Sequence, residues 1–272
     1  MKHSIDPALQ RLLNPFQLAA EPAGCFLPLA GLTGESGRIE TAAGPLLARR
    51  QPPSPIPFVN RQREYRILKK LRASGLTPQP LALNAHWLLL RWQPGTVIPD
   101  HDFMQRRDEV IALLHRLHCQ PLTGYRLSLM PLLQRYWQLC QQRNLRWQRA
   151  LRRLAHEGEP GPLRLVPLHM DVHPGNLIAT QQGLRLIDWE YAADGDAALE
   201  IAALCAADPG HQQHWAACYA RQARLPLQQL ELQIGRWRPW LRLLMASWYQ
   251  LRAEQSGDAA LCRLAAERWK TF

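Results

Sequence analysis

The sequence predicts an α+β fold in two lobes, a small β-rich lobe over residues 1–92 and a larger, mainly helical lobe over residues 93–272. Three features carry that expectation. In the first part, apolar runs of strand length (Cys25–Leu29, Pro45–Arg50, Trp87–Trp92) are separated by clusters of glycine and proline. Beyond Gln93-Pro94-Gly95 the apolar residues recur at helical spacing instead, as at Val110, Leu113, Leu114 and Leu117. The length, 272 residues, suffices for two cores, and an apolar content of 47% excludes a disordered chain.

Taken in order, residues 1–23 read as a short helix with Leu9, Leu12 and Leu13 on one face, followed by a proline-containing loop. Cys25–Leu29 is a strand, and Gly31-Leu32-Thr33-Gly34-Glu35-Ser36-Gly37 follows it. Glycines with hydroxyl residues between strands let backbone N–H groups approach an anion, although a ligand-free hairpin turn has the same composition. Pro45–Arg50 reads as the next strand and ends in two cations. The prolines at 52, 53, 55 and 57 break regular structure, and a helix from Phe58 to Arg72 carries Tyr65, Leu68 and Leu71 at helical spacing. Trp87–Trp92 reads as a buried strand that Gln93-Pro94-Gly95 terminates.

The helix through Leu117 carries His115 and His118 three residues apart, which without a carboxylate or cysteine partner nearby reads as structural histidine. Leu129–Leu154 continues as one or two amphipathic helices whose arginines (135, 143, 146, 149, 152 and 153) form a solvated basic face. After the segment around residue 171, Asp194-Gly195-Asp196 leads into an apolar helix, for which Asp196 is a fitting N-cap. Helices near 212–222, 227–255 and 258–270 bring in Trp215, Trp237, Trp240, Trp248 and Trp269, read as core.

The chemistry concentrates in Leu168–Ala192, LHMDVHPGNLIATQQGLRLIDWEYA. Asp171 follows the apolar Leu165, Val166 and Leu168 and precedes Pro174-Gly175, which places it on a tight loop. Leu177–Ala179 and Leu184–Ile187 read as two short strands joined by a turn at Gln181-Gln182-Gly183, so Asn176 and Asp188 fold back towards one another. Two oxygen donors across a hairpin suit Mg²⁺, which takes one or two protein carboxylates and completes its shell with water and phosphate oxygens. Asp171 then remains to orient a hydroxyl, the layout by which phosphoryl groups are transferred. The alternative is that each of these residues is an ordinary turn former.

The formal charge is +11, from 33 Lys and Arg against 22 Asp and Glu. Such a surface attracts polyanions, nucleoside triphosphate and nucleic acid alike. The cysteines at 25, 119, 140, 205, 218 and 262 show neither C-x-x-C nor zinc-ligand spacing, so buried free thiols in a reducing compartment are expected. The first residues lack the apolar run of a signal peptide and no stretch is long and uncharged enough to span a bilayer. A cytoplasmic protein without a membrane partner is therefore expected.

The letters HMDVHPGN, followed by LIDWE, resemble the catalytic core of the aminoglycoside phosphotransferase and choline kinase group, relatives of the protein kinases. The resemblance implies a protein kinase-like two-lobed fold, ATP as phosphoryl donor, Asp171 as catalytic residue, and Asn176 and Asp188 as Mg²⁺ ligands. It further implies that Gly31, Thr33, Gly34 and Ser36 cover the phosphates, and that adenine binds near Gln93–Gly95. Arg50 aligns with the family's phosphate-contacting lysine, with Glu64 as its helix partner, although Arg61 or Lys69 would also satisfy Glu64. Asp196 and Glu200 match the family's GDxxxDLA pattern, with Glu where Asp is usual. Within the group the chain is most similar to the thiamine-phosphorylating branch, through GLTGESG, LMPLLQRYWQ, LRLIDWEYAADGDAALE and GRWRPWLRLLMASWY. That implies thiamine, or a similar small alcohol, as acceptor. A thiazolium cation seeks aromatic faces and carboxylates, which Trp189, Glu190, Tyr191 and Asp196 would supply. Choline or ethanolamine kinase, an aminoglycoside phosphotransferase, and a basic nucleic-acid-binding pseudokinase are the rival readings; nucleic acid is the least expected partner.

Overall fold

The computed structural model describes residues 6–16, 26–29, 35–270 and 272. Cys25, Gly31, Thr33 and Gly34 lie outside these residues. In chain order the elements are α1 (Pro7–Leu13), β1 (Phe26–Leu29), β2 (Ser36–Ile39), β3 (Leu46–Arg50), α2 (Arg61–Leu71), β4 (Pro80–Leu83), β5 (Trp87–Arg91), β6 (Thr96–Val97), α3 (Asp100–Gln105), α4 (Arg107–His118), α5 (Leu129–Leu139), α6 (Leu145–Glu157), β7 (Leu165–Leu168), β8 (Leu177–Thr180), β9 (Gly183–Leu186), β10 (Ala193–Asp196), α7 (Ala197–Ala207), α8 (Gln212–Ala223), α9 (Leu227–Ser256) and α10 (Ala259–Lys270).

Two compact units result, Met1–Phe103 with Asp171–Ala192, and Met104–Met170 with Ala193–Phe272. This division is not the sequential one expected at residue 92. The reason is strand pairing: β6 adds to the β8–β9 hairpin through Thr96↔Ala179 and Val97↔Ile178, which joins the hairpin to the first hundred residues. At Gly95 (φ +138°) an added Cβ would lie 2.2 Å from Ile178 Cγ2 and 2.5 Å from the Ala179 carbonyl oxygen, so only glycine permits this approach.

The first unit is built on a five-stranded antiparallel sheet of order β1-β2-β3-β5-β4. One face buries Ile39, Leu46, Ala48, Trp87 and Leu89 against Ala8, Leu9 and Leu13 of α1. Asp6 fastens that packing. One carboxylate oxygen caps α1 at the Ala8 N–H (2.7 Å) while the other accepts from the Trp87 indole (3.0 Å), and together these bonds hold its pKa below the ordinary 3.8. The helix expected from Phe58 starts later, at Arg61, because Phe58 is left-handed (φ 71°) and Asn60 caps the helix by accepting from the Arg63 N–H (2.8 Å).

The second unit is mainly helical. β7 and β10 pair antiparallel and the Ala-rich α7, buried on nearly every side, follows them directly. α9 packs against α5, α7 and α10. Trp215, Trp237, Trp240 and Trp269 are buried, as expected of core, while Trp248 is half-buried. The six arginines of α5, α6 and the turn between them are exposed. Cys119, Cys140, Cys205, Cys218 and Cys262 are free thiols; Cys119 and Cys262 are exposed, contrary to the expectation of burial, since each lies on the outward side of its helix end. Among the described residues no helix is long and apolar enough to cross a membrane.

Candidate active site

The site is built on the loop Asp171–Asn176 and the hairpin that follows it. Pairing of Leu177 with Leu186 sets Asn176 at the mouth of the ladder, where its carbonyl accepts from the Ile187 N–H (3.0 Å). The Asn176 side-chain amide donates to the Asp171 carbonyl (3.0 Å) and to Asp171 Oδ2 (2.8 Å). With its NH₂ committed to Asp171, the group of Asn176 that remains for a metal is the carbonyl oxygen Oδ1. His173 Nδ1 accepts from the Gly175 N–H (3.1 Å), which puts the ring proton on Nε2, facing Asp171 Oδ2 at 3.7 Å. That contact raises the His173 pKa above the ordinary 6.5, with Asp188 and Asp100 adding to it against burial. A Cβ at Gly175 would meet the His173 ring at 2.9 Å, so a larger residue there would displace that ring.

Asp188 leaves β9 in a left-handed conformation (φ 62°), tolerable for aspartate, with its side chain one-third exposed (33%). Behind it lies a buried ion cluster. Arg49 NH1 meets Glu64 Oε1 at 2.6 Å, and Arg49 NH2 meets both Asp188 Oδ1 (2.6 Å) and Glu190 Oε2 (2.8 Å). Arg61 NH1 bridges Glu64 Oε2 (2.7 Å) and Glu190 Oε2 (2.8 Å). Burial works against the Arg49 charge, but Glu64, Asp188 and Glu190 outweigh it and raise its pKa further. Glu190 is pushed up by burial and by Asp188, and pulled down by Arg49 and Arg61.

The donor set fits Mg²⁺. Asn176 Oδ1 and the Asp188 carboxylate are hard oxygens, and among the described residues no group of three or more His, Cys, Asp or Glu forms a cage for a softer ion. A magnesium ion held by one carboxylate and one amide oxygen would complete its shell with phosphate and water.

Residues 30–240 match the model of the phosphotransferase enzyme family. The chain belongs to that family. It is 42% identical over 245 residues to the thiamine kinase of Salmonella typhimurium, an alignment covering 88% of this chain and 87% of that one. The fold is that of choline kinase LicA from Streptococcus pneumoniae, with a TM-score of 0.73 at 17% identity over 97% of this chain and 98% of that chain. LicA in complex with AMP gives a TM-score of 0.68 at 18% identity over 90% of each chain. The α+β, protein kinase-like architecture expected from the sequence is therefore present, β-rich towards the N-terminus and helical towards the C-terminus.

Against this phosphotransferase fold several expected residues take different places. Glu64 pairs with Arg49 and Arg61, not with Arg50. Arg50 is exposed, salt-bridged to Glu35 (3.0 Å) and stacked on Trp87, because adjacent residues of β3 point to opposite faces of the sheet. Ser36 stands directly across from Arg49 in the β2–β3 ladder and so shares its face. Trp189 is buried (1% exposed) with its indole bonded to the Leu186 carbonyl (3.1 Å). Glu190 is taken by the two arginines, and Tyr191 is half-buried. Asp196 is saturated: it accepts from the N–H groups of Leu163, Arg164 and Ala198, from Gln233 Nε2 and from Trp237 Nε1. It pairs with Leu165, at the end of the β7–β10 ladder remote from Leu168, and acts as a helix cap rather than an acceptor ligand.

Sequence reading missed Arg49 and the anchoring of the loop's entry. Glu200 Oε1 accepts from the His169 N–H (2.9 Å) and the Met170 N–H (2.6 Å), and Oε2 meets His118 Nε2 (2.8 Å), whose Nδ1 meets the Tyr219 hydroxyl (2.7 Å). These bonds hold Met170 at φ 67°, one residue before Asp171. Burial opposes the Glu200 charge, but the His118 and backbone bonds win and depress its pKa. His118 is structural, as expected.

Proposed function

We propose that the protein is a thiamine kinase that transfers the γ-phosphoryl group of ATP to the hydroxyethyl group of thiamine. The observation that carries this reading is 42% identity to a thiamine kinase over most of both chains, joined to an Asp171–Asn176–Asp188 arrangement suited to phosphoryl transfer. Asp171, oriented by the Asn176 amide, accepts the hydroxyl proton as the substrate oxygen bonds to the γ-phosphorus and the bond to ADP breaks. Asn176 and Asp188 would hold Mg²⁺, which when bound neutralises charge on the phosphate oxygens. Arg49 takes the part expected of Arg50, holding Glu64 on one side and Asp188 on the other. Ser36, with Gly31, Thr33 and Gly34, would cover the phosphates, and Tyr191 is the remaining candidate of the expected acceptor set. The compartment we infer is the cytoplasm, where ATP and reduced thiols coexist.

The test is ADP release with ATP and Mg²⁺, screened over thiamine, choline, ethanolamine and an aminoglycoside. Turnover with thiamine at least tenfold above every other acceptor is expected; preferential turnover of choline would move the chain to another branch of the same family.

A further inference from the structure

We propose that Arg61 is a positioning residue for metal–nucleotide binding, acting through Glu190 and Arg49 on Asp188. The inference rests on the kinase reading above and adds a residue to its machinery. Arg61 is 2% exposed at the first turn of α2 and touches the cluster at three points. Its NH1 bridges Glu64 Oε2 and Glu190 Oε2, and its Nε donates to the Arg50 carbonyl (3.1 Å), the last main-chain oxygen of β3.

The connectivity assigns the role. Glu190 Oε2 is shared between Arg61 NH1 and Arg49 NH2, and the same Arg49 NH2 reaches Asp188 Oδ1. One guanidinium nitrogen thus serves two carboxylates, and how far it leans to each depends on what else neutralises Glu190. With Arg61 present, Glu190 has two cationic partners and Arg49 is left to steady Asp188. Without it, Glu190 has only Arg49 among these arginines' side chains, and the guanidinium is drawn off Asp188, whose one-third exposed carboxylate then turns away from the ladder mouth. Arg63 NH2 meets Glu190 at its main-chain carbonyl, and Phe58 likewise. A stability role alone accounts poorly for the arrangement, because buried ion pairs are replaceable by apolar side chains at little cost, whereas groups that orient a metal ligand are costly to lose in metal affinity.

Mn²⁺ binding followed by electron paramagnetic resonance, with and without a non-hydrolysable ATP analogue, tests this without reference to the acceptor. Arg61→Gln is expected to weaken the metal–nucleotide complex about a hundredfold and Arg61→Lys about tenfold, because lysine restores the charge but cannot hold both carboxylates and the Arg50 carbonyl. Circular dichroism and thermal melting establish that each variant is folded, and Arg61→Lys serves if Arg61→Gln is not. Wild-type affinity in folded Arg61→Lys would overturn the proposal while leaving the kinase reading intact. Failure of the unsubstituted protein to bind metal–nucleotide would overturn both.

Discussion

The ionic cluster of the first unit and the cluster around Glu200 in the second are built on opposite plans. In the first unit Arg49, Arg61, Glu64 and Glu190 are all ionic and buried, and they end at Asp188, a carboxylate left one-third exposed. In the second unit the buried carboxylate of Glu200 is met by two backbone N–H groups and by His118, with Tyr219 behind. The first cluster can take a further cation, since Arg49 meets Asp188 at Oδ1 and the carboxylate, one-third exposed, has a second oxygen. The second cannot, because main-chain N–H groups fixed in place hold one oxygen of Glu200 and the buried His118 holds the other. The difference suggests a division of labour in which the ionic cluster adapts to ligand and the hydrogen-bonded one fixes backbone.

Asp171 depends on both plans, through Asn176 in the first unit and through the anchored Met170 that precedes it. Its loss is expected to have the largest effect. Asp171→Asn should lower the rate of transfer by roughly a hundredfold to ten-thousandfold while nucleotide affinity stays near that of the unsubstituted protein, measured by single-turnover kinetics and calorimetry. A comparable loss of affinity would mean that Asp171 belongs to the metal site, and the comparison would lose its hinge.

The second cluster should respond in stability. Glu200→Gln removes a buried charge that is paired and hydrogen-bonded, and about 3 kcal/mol of folding stability is expected to go with it. The sign of its pH dependence follows from the depressed pKa. The folded-state value lies below the ordinary 4.5, so the stabilisation is complete above 4.5 and disappears as pH falls through the folded value. Thermal melting of the wild type and Glu200→Gln should therefore converge in acid and diverge towards neutrality. A gap that stayed constant with pH would show that the glutamate charge contributes nothing.

The same contrast separates what was legible in the sequence from what was not. The Asp171 loop and the β8–β9 hairpin were legible because Pro174-Gly175 and Gln181-Gln182-Gly183 are strong local turn signals flanking apolar runs. The α+β division was legible from the change of apolar period after Gly95. β10, with the sequence Ala-Asp-Gly-Asp, carried no strand signal; its burial comes from pairing with β7, a long-range fact. The acceptor residues were misplaced for a related reason. Trp189, Glu190 and Asp196 have the right chemistry for a cation, but burial and partners had already claimed them, and neither is written in a local stretch.

Arg49 and Arg50 give the smallest expected effects and the sharpest control on the ionic plan. Both are cations at the end of β3, and composition cannot choose between them. Strand alternation can: Arg50 lies across from Trp87 on the face that carries Leu46 and Ala48, whereas Arg49 lies across from Ser36 and Leu88 on the other. Only Arg49 can therefore reach Glu64, Glu190 and Asp188. Arg49→Lys keeps the charge but loses the fork that spans three carboxylates, and about a tenfold loss of metal–nucleotide affinity is expected. Arg50→Ala breaks an exposed pair with Glu35, a longer one with Asp6 and the stacking on Trp87, none of which reaches Asp188, and a change below about twofold is expected, exposed pairs being worth little. Binding isotherms that showed the reverse order would mean that β3 is read one residue out of register, and the ionic cluster would have to be rebuilt around the other arginine.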